Sequence, residues 1–262
     1  MSAINVTIIS CLILFLSTLL GSSLVFLIRK NISFKLSNMI LGFASGIMIS
    51  AGIFGLLIPA IEEAQISYKN LAILPVVIGF ILGGLFLNLL DKVIPHFHKE
   101  RNEEEGPKNN LTKQLKFFLA VLIHNIPEGL AVGFACGLAL TTNNQTLILS
   151  ALSLAIGISI QNFPEGVAVS IPLHEEGMSR PKAFIYGAFS GIVEPLFAVV
   201  GILLATQITF ILPWLLAFSS GAMIYVTIDE LLPAARKEGH EHFGLWAFML
   251  GFIMMLCLEI LI

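Results

Sequence analysis

Apolar stretches of about 20 residues, each long enough to cross roughly 30 Å of hydrocarbon, recur along the whole chain and leave no separate soluble domain to assign. In lipid such stretches bond their own backbone as helices. Eight are legible, at 4–28, 38–61, 71–90, 115–140, 147–172, 182–205, 209–234 and 243–262. Most are joined by short polar turns such as Thr141-Thr142-Asn143-Asn144-Gln145. Asp229, Glu230 and Pro213 leave the ends of the seventh least defined. Composition agrees: 12% of residues are charged, against about 25% in an average soluble domain. The expected fold is an all-α membrane protein, a single polytopic transmembrane domain over 1–262 with a flexible loop at 91–114.

A net charge of −3 gives no basis for nucleic-acid binding, and no polybasic run offers a lipid anchor. Cys11, Cys136 and Cys257 are odd in number and lie inside apolar spans, which reads as buried small hydrophobes rather than a disulfide framework. The first apolar stretch has no positive segment before it and is too long for a signal-peptide core, so it is expected to be retained.

Lys and Arg in the loops set orientation. Arg29, Lys30, Lys35, Lys92, Lys99, Arg101, Lys108, Lys113, Lys116, Arg180, Lys182, Arg236 and Lys237 fall on one side of an eight-span chain, and Lys69 alone on the other. A missed span would scramble that bias. Both termini are therefore expected outside, in a cell (inner) membrane.

Span 2 contains Phe43-Ala44-Ser45-Gly46-Ile47-Met48-Ile49 and ends Leu57-Ile58-Pro59-Ala60. Span 7 contains Phe218-Ser219-Ser220-Gly221-Ala222-Met223-Ile224 and ends Leu231-Leu232-Pro233-Ala234. The two run in opposite directions, which suggests spans 1–3 and 6–8 as inverted repeats around a central pair, a 3+2+3 plan. Transporters with inverted repeats bind substrate near the midplane, at the repeat interface.

The central pair carries its own duplication: His124-Asn125-Ile126-Pro127-Glu128-Gly129 and Gln161-Asn162-Phe163-Pro164-Glu165-Gly166. A charge at membrane depth costs roughly 2.5–3.5 kcal/mol on insertion scales, and a bound cation is the simplest compensation for two such acids. His124 and Glu128 are four apart and share a helix face, as do Gln161 and Glu165. Asn125 and Asn162 point about 100° away. Each proline frees a carbonyl four residues earlier, at Ile123 and Ile160, tolerable only where it is buried or lines a wet or ion-filled cavity. Glu194, before Pro195 in span 6, repeats the pairing of an acid with a helix-kinking proline.

One imidazole, three carboxylates and three amide oxygens form a mixed N/O set suited to Zn²⁺, Fe²⁺, Mn²⁺ or Co²⁺. A structural zinc would be closed by four strong His or Cys ligands. This weaker set favours exchange. An intramembrane metal-dependent hydrolase is the competing reading, but the chain has no His-Glu-x-x-His and hydrolysis has no use for a duplicated ligand set. A metal-gated sensor is a third.

These motifs, with Gly221-Ala222-Met223-Ile224-Tyr225-Val226 leading to Asp229-Glu230-Leu231, resemble the ZIP family of divalent-metal transporters, and within it the bacterial GufA-like branch. The resemblance implies a two-metal centre: His124, Glu128, Gln161 and Glu165 as the primary site, with Asn125, Asn162 and Glu194 joining the glutamates around a second ion. It implies uptake of zinc or related metals by rigid-body movement of the central helices against a scaffold, in a homodimer. The metal is then substrate rather than cofactor. Many relatives carry histidine in place of Gln161, and some binuclear members carry aspartate in place of Asn162, which bears on metal choice and on the second ion.

His96 and His98 in the long loop are candidates for holding released metal. His174, Glu175, Glu176, Asp229, Glu230, His240 and His242 are candidates for an exit path, and Glu62 and Glu63 for an entrance. Ordinary solvation at helix ends is the competing reading for each.

Overall fold

The computed structural model describes residues 1–27, 33–94, 96–98, 103–105, 107, 113–175, 177–207, 209–236 and 241–261. Among these, eight helical stretches are long and apolar enough to cross a membrane: Ala3–Phe26, Lys35–Leu71, Ile73–Leu90, Val121–Thr142, Gln145–Ile171, Arg180–Ala205, Leu212–Ala234 and His242–Leu261, here spans 1 to 8. An even number returns the chain to the face on which it started. Within 91–114, His96–His98 pairs antiparallel with Glu103–Glu105, with His96 opposite Glu105.

Span 2 is longer than the sequence suggests because Pro59 does not end it. The turns before that proline, Ala51–Leu57, are π-helical, and the helix resumes at Ile58–Tyr68. Span 7 does the same: Thr227–Leu231 is π-helical just before Leu232–Ala234, which holds Pro233. A proline removes one N–H and crowds the carbonyl four residues back, and a wider i→i+5 turn relieves both. The repeat therefore extends beyond residue identity to a shared backbone irregularity.

The most extensive helix–helix interfaces pair span 1 with span 5, span 4 with span 6, span 2 with span 8 and span 3 with span 7. Exchanging span 1 with 6, 2 with 7, 3 with 8 and 4 with 5 maps this set onto itself, as an inverted 3+2+3 repeat requires. It also divides the molecule into two bundles, spans 1, 4, 5 and 6, and spans 2, 3, 7 and 8. Close contact within each bundle runs through glycines. A Cβ on Gly129 would collide with the backbone of Glu194, and one on Gly166, its counterpart, with the Thr18 carbonyl.

Span 6 departs from the expected single helix with a kinking proline. It is broken into Arg180–Ser190 and Val193–Gln207, with a turn at 191–192. Proline is well tolerated only in the first turn of a helix, and Pro195 takes that place in the second half. Glu194 is thereby put at a helix N-terminus, where the aligned peptide dipoles favour a negative charge.

Candidate metal centre

Asn125, Pro127 and Glu128 fall at the centre of the Lys113–Thr142 helix, and Gln161 and Asn162 near the centre of Gln145–Glu175. Both helices run unbroken through their motifs. Asn125, Glu128, Gln161, Asn162 and Glu194 are all buried, and Glu165 is half-buried. Glu128 lies beside Gln161 and Glu165, and Glu194 beside Glu128 and Glu165. Three helices thus bring six of the seven sequence candidates together. The His124 side chain lies outside the described residues.

Hydrogen bonds orient the three amides. The Asn125 Nδ2 donates to the Ser190 carbonyl at 3.0 Å and to Glu194 Oε1 at 3.4 Å. Asn162 Nδ2 donates to the Leu14 carbonyl at 3.3 Å and also to Glu194 Oε2. Gln161 Nε2 donates to Asn162 Oδ1 at 3.4 Å. Ser190 ends the first half of span 6, where carbonyls lack helical partners, so Asn125 also caps that break. The exchange that carries Asn125 onto Asn162 and Ser190 onto Leu14 carries Glu194 onto Thr18. The third carboxylate is therefore the feature that breaks the site's symmetry.

With their nitrogens held, two of the three amides keep an oxygen without a donor. Among the described residues, Asn125 Oδ1, Glu128 Oε2 and Gln161 Oε1 are buried with no hydrogen-bond donor. Each unpaired buried acceptor costs about 1–3 kcal/mol. No described Lys or Arg is buried to neutralise the acids. A buried cluster of oxygens short of donors and of positive charge fits a cation. Among the described residues, no three His, Cys, Asp or Glu side chains close on one point as metal ligands, so carboxylates there would act with amide oxygens.

A family model described as "ZIP Zinc transporter" matches residues 102–259. The chain is 32% identical to "Zinc transporter ZIP11" of Homo sapiens, with 93% of each covered. This protein belongs to the ZIP zinc transporter family. It is also 34% identical to "Zinc transporter GufA" of Myxococcus xanthus, over 89% of this chain and 90% of that one. With "Zinc transporter ZupT" of Chlorobium chlorochromatii the identity is 35%, over 92% and 91%. Membership in a transporter family points away from an enzyme and supports carriage of a divalent metal.

Sequence reasoning missed the second polar feature of this ZIP protein. Ser153, Gly157, Gln161 and Glu165 follow at intervals of four on one face of span 5. Met255 of span 8 lies on Gly157, leaving no room for a Cβ, and Glu259, one turn further along span 8, brings its Oε1 against Gly55 of span 2, which Leu154 also crowds. Ser153 Oγ and Glu259 Oε1 are buried without a described partner. The signal was available, since Glu259 is an acid inside the last apolar span. The break at 191–192 was signalled too, by Gly191 shortly before Pro195.

The secondary candidates are dispersed. His174 Nδ1 lies 2.8 Å from the Met178 carbonyl at a helix end. His242 and Glu62 are exposed, and Asp229 and Glu63 half-buried. Glu176 and His240 lie outside the described residues, as do the side chains of His96, His98, Glu175 and Glu230.

Proposed function

We propose that this chain imports divalent transition-metal ions toward the cytoplasm, zinc first, with iron, manganese, cobalt and cadmium as further substrates. The observation that carries the reading is the set of donorless buried oxygens on Asn125, Glu128 and Gln161 beside further acids, in a bundle with no buried described Lys or Arg. His124, Glu128, Gln161 and Glu165 form the primary site, and Asn125, Asn162 and Glu194 complete a second position around the same glutamates. One divalent ion balances Glu128 and Glu165, which leaves Glu194 to be balanced by a proton or by a second ion.

The protein sits in the inner membrane as a homodimer with both termini outside. The bundle of spans 1, 4, 5 and 6 carries the ion, moving as a body against spans 2, 3, 7 and 8. Ions enter past Glu259 and Ser153, and Met255 on Gly157 closes that route in the present conformation. The Gln161 oxygen, one helical turn beyond Gly157, receives the ion when the route opens.

Reconstitution into proteoliposomes with a metal-sensitive dye inside tests the reading. Wild-type protein should pass zinc, and Glu128→Ala or Glu165→Ala should cut the flux at least about 10-fold, since each removes a carboxylate from the proposed site at membrane depth. Unchanged flux in both variants would sink the proposal.

A further inference from the structure

Ser219 is fully buried in span 7, and its hydroxyl donates to the carbonyl of Pro127 at 2.9 Å. That oxygen belongs to the peptide plane joining Pro127 to Glu128, so the bond fixes the backbone from which the Glu128 carboxylate projects. It also crosses between the two bundles. Several other hydrogen bonds of span 7 lie within its own bundle: Trp214 Nε1 to the Tyr68 hydroxyl at 2.8 Å, Ser220 to the Gly52 carbonyl at 2.8 Å, Thr227 to Met48 Sδ at 3.6 Å, and Asn88 Nδ2 to the Tyr225 hydroxyl at 3.0 Å.

The inverted repeat sharpens the point. In the register that sets Phe218 on Phe43, Ser219 falls on Ala44, and Pro127 falls on Pro164. Ala44 is buried but has no hydroxyl to offer the second motif. One acidic motif is therefore tied to the opposite bundle by this serine position, and its twin is not.

We propose that Ser219 is a positioning residue that latches the first motif to the scaffold and biases the protein toward the conformation seen here, in which Ser153 is buried from the face bearing the termini. The inference rests on the two-bundle movement proposed above. A buried serine with a single cross-bundle bond is suited to this, because breaking one hydrogen bond costs little enough to be reversed in each cycle. Its effect runs through Glu128 and the bundle interface, without contact to the ion.

Test it in a variant lacking the three native cysteines and carrying Ser153→Cys, labelled from outside with a membrane-impermeant thiol reagent. Ser219→Ala should raise the labelling rate about two- to tenfold, the population factor one net hydrogen bond supplies. Ser219→Thr, which keeps the hydroxyl, should label at the rate of the parent that retains Ser219. Ser219→Gly removes the hydroxyl without adding volume and should match Ser219→Ala, which keeps the test usable if either variant folds poorly. A labelling rate unchanged by both hydroxyl-free variants overturns the latch even where zinc flux is intact. Absence of zinc flux in the wild-type protein overturns the transport reading instead, and the labelling comparison still reports on Ser219.

Discussion

Asn125 and Asn162 use the two ends of one side chain for different purposes. Their nitrogens are spent on carbonyls of spans 6 and 1 and on Glu194, which fixes where the remaining oxygens face. Asn162→Asp would replace a donor to Glu194 with a second carboxylate, and two such charges in contact need a cation between them. Purified Asn162→Asp protein should therefore bind more zinc per chain than wild type in equilibrium dialysis; equal stoichiometry would argue against a second ion position at Glu194. Gln161→His should narrow the metals carried, strengthening zinc relative to manganese in competition flux, because imidazole is the softer donor. Glu259→Gln should raise the zinc concentration needed for half-maximal flux by about 10-fold with the maximal rate retained, as expected for a charge that concentrates ions ahead of the site. The spacing of four between His124 and Glu128, and between Gln161 and Glu165, was readable from the chain. The orientation of the amides was not, because it depends on carbonyls at Leu14 and Ser190, far away in sequence.

Span 6 shows how far element-level reading goes. Its length and apolar character were legible, and Glu194 could be picked out as a candidate. The break was signalled by Gly191 but not decided, since a glycine and a proline inside an apolar run fit a kinked helix as well as two half-helices. The choice is made by packing: Thr18 crowds Gly191, and Gly129 brings the backbone of span 4 against Glu194. A methyl at position 129 would have to displace main chain, for which the usual overpacking cost is about 1–3 kcal/mol. Gly129→Ala should lose that much stability in a denaturation series and lose zinc flux with it. Gly84→Ala is the control, because a Cβ there would meet only the Tyr225 side chain at an ordinary 3.5 Å. Equal stability of the two variants would mean that the span 4–span 6 contact does not fix the position of Glu194.

At the scale of the whole molecule, the pseudo-two-fold exchange creates a problem that the core cannot solve. Spans 1–3 and 6–8 are inverted copies, and the helix pairings map onto themselves when the halves are exchanged. A body of this kind packs nearly as well with either face toward the cytoplasm. Orientation, and with it the direction of import, must come from what the repeat does not duplicate. The loop sequences offer it: counting along eight spans assigns Lys69 alone to one side and the other thirteen Lys and Arg to the opposite side. Such a bias retains basic loops in the cytoplasm. The bias is read from the sequence and the orientation it implies is a proposal, whereas the two bundles could not be read there, because they are defined by which non-adjacent spans pair. In a variant without native cysteines, Ser2→Cys should react with an impermeant maleimide in intact spheroplasts. Arg236→Cys should react only after permeabilisation. The reverse pattern would place Glu259 on the cytoplasmic side and turn the proposed entrance into an exit.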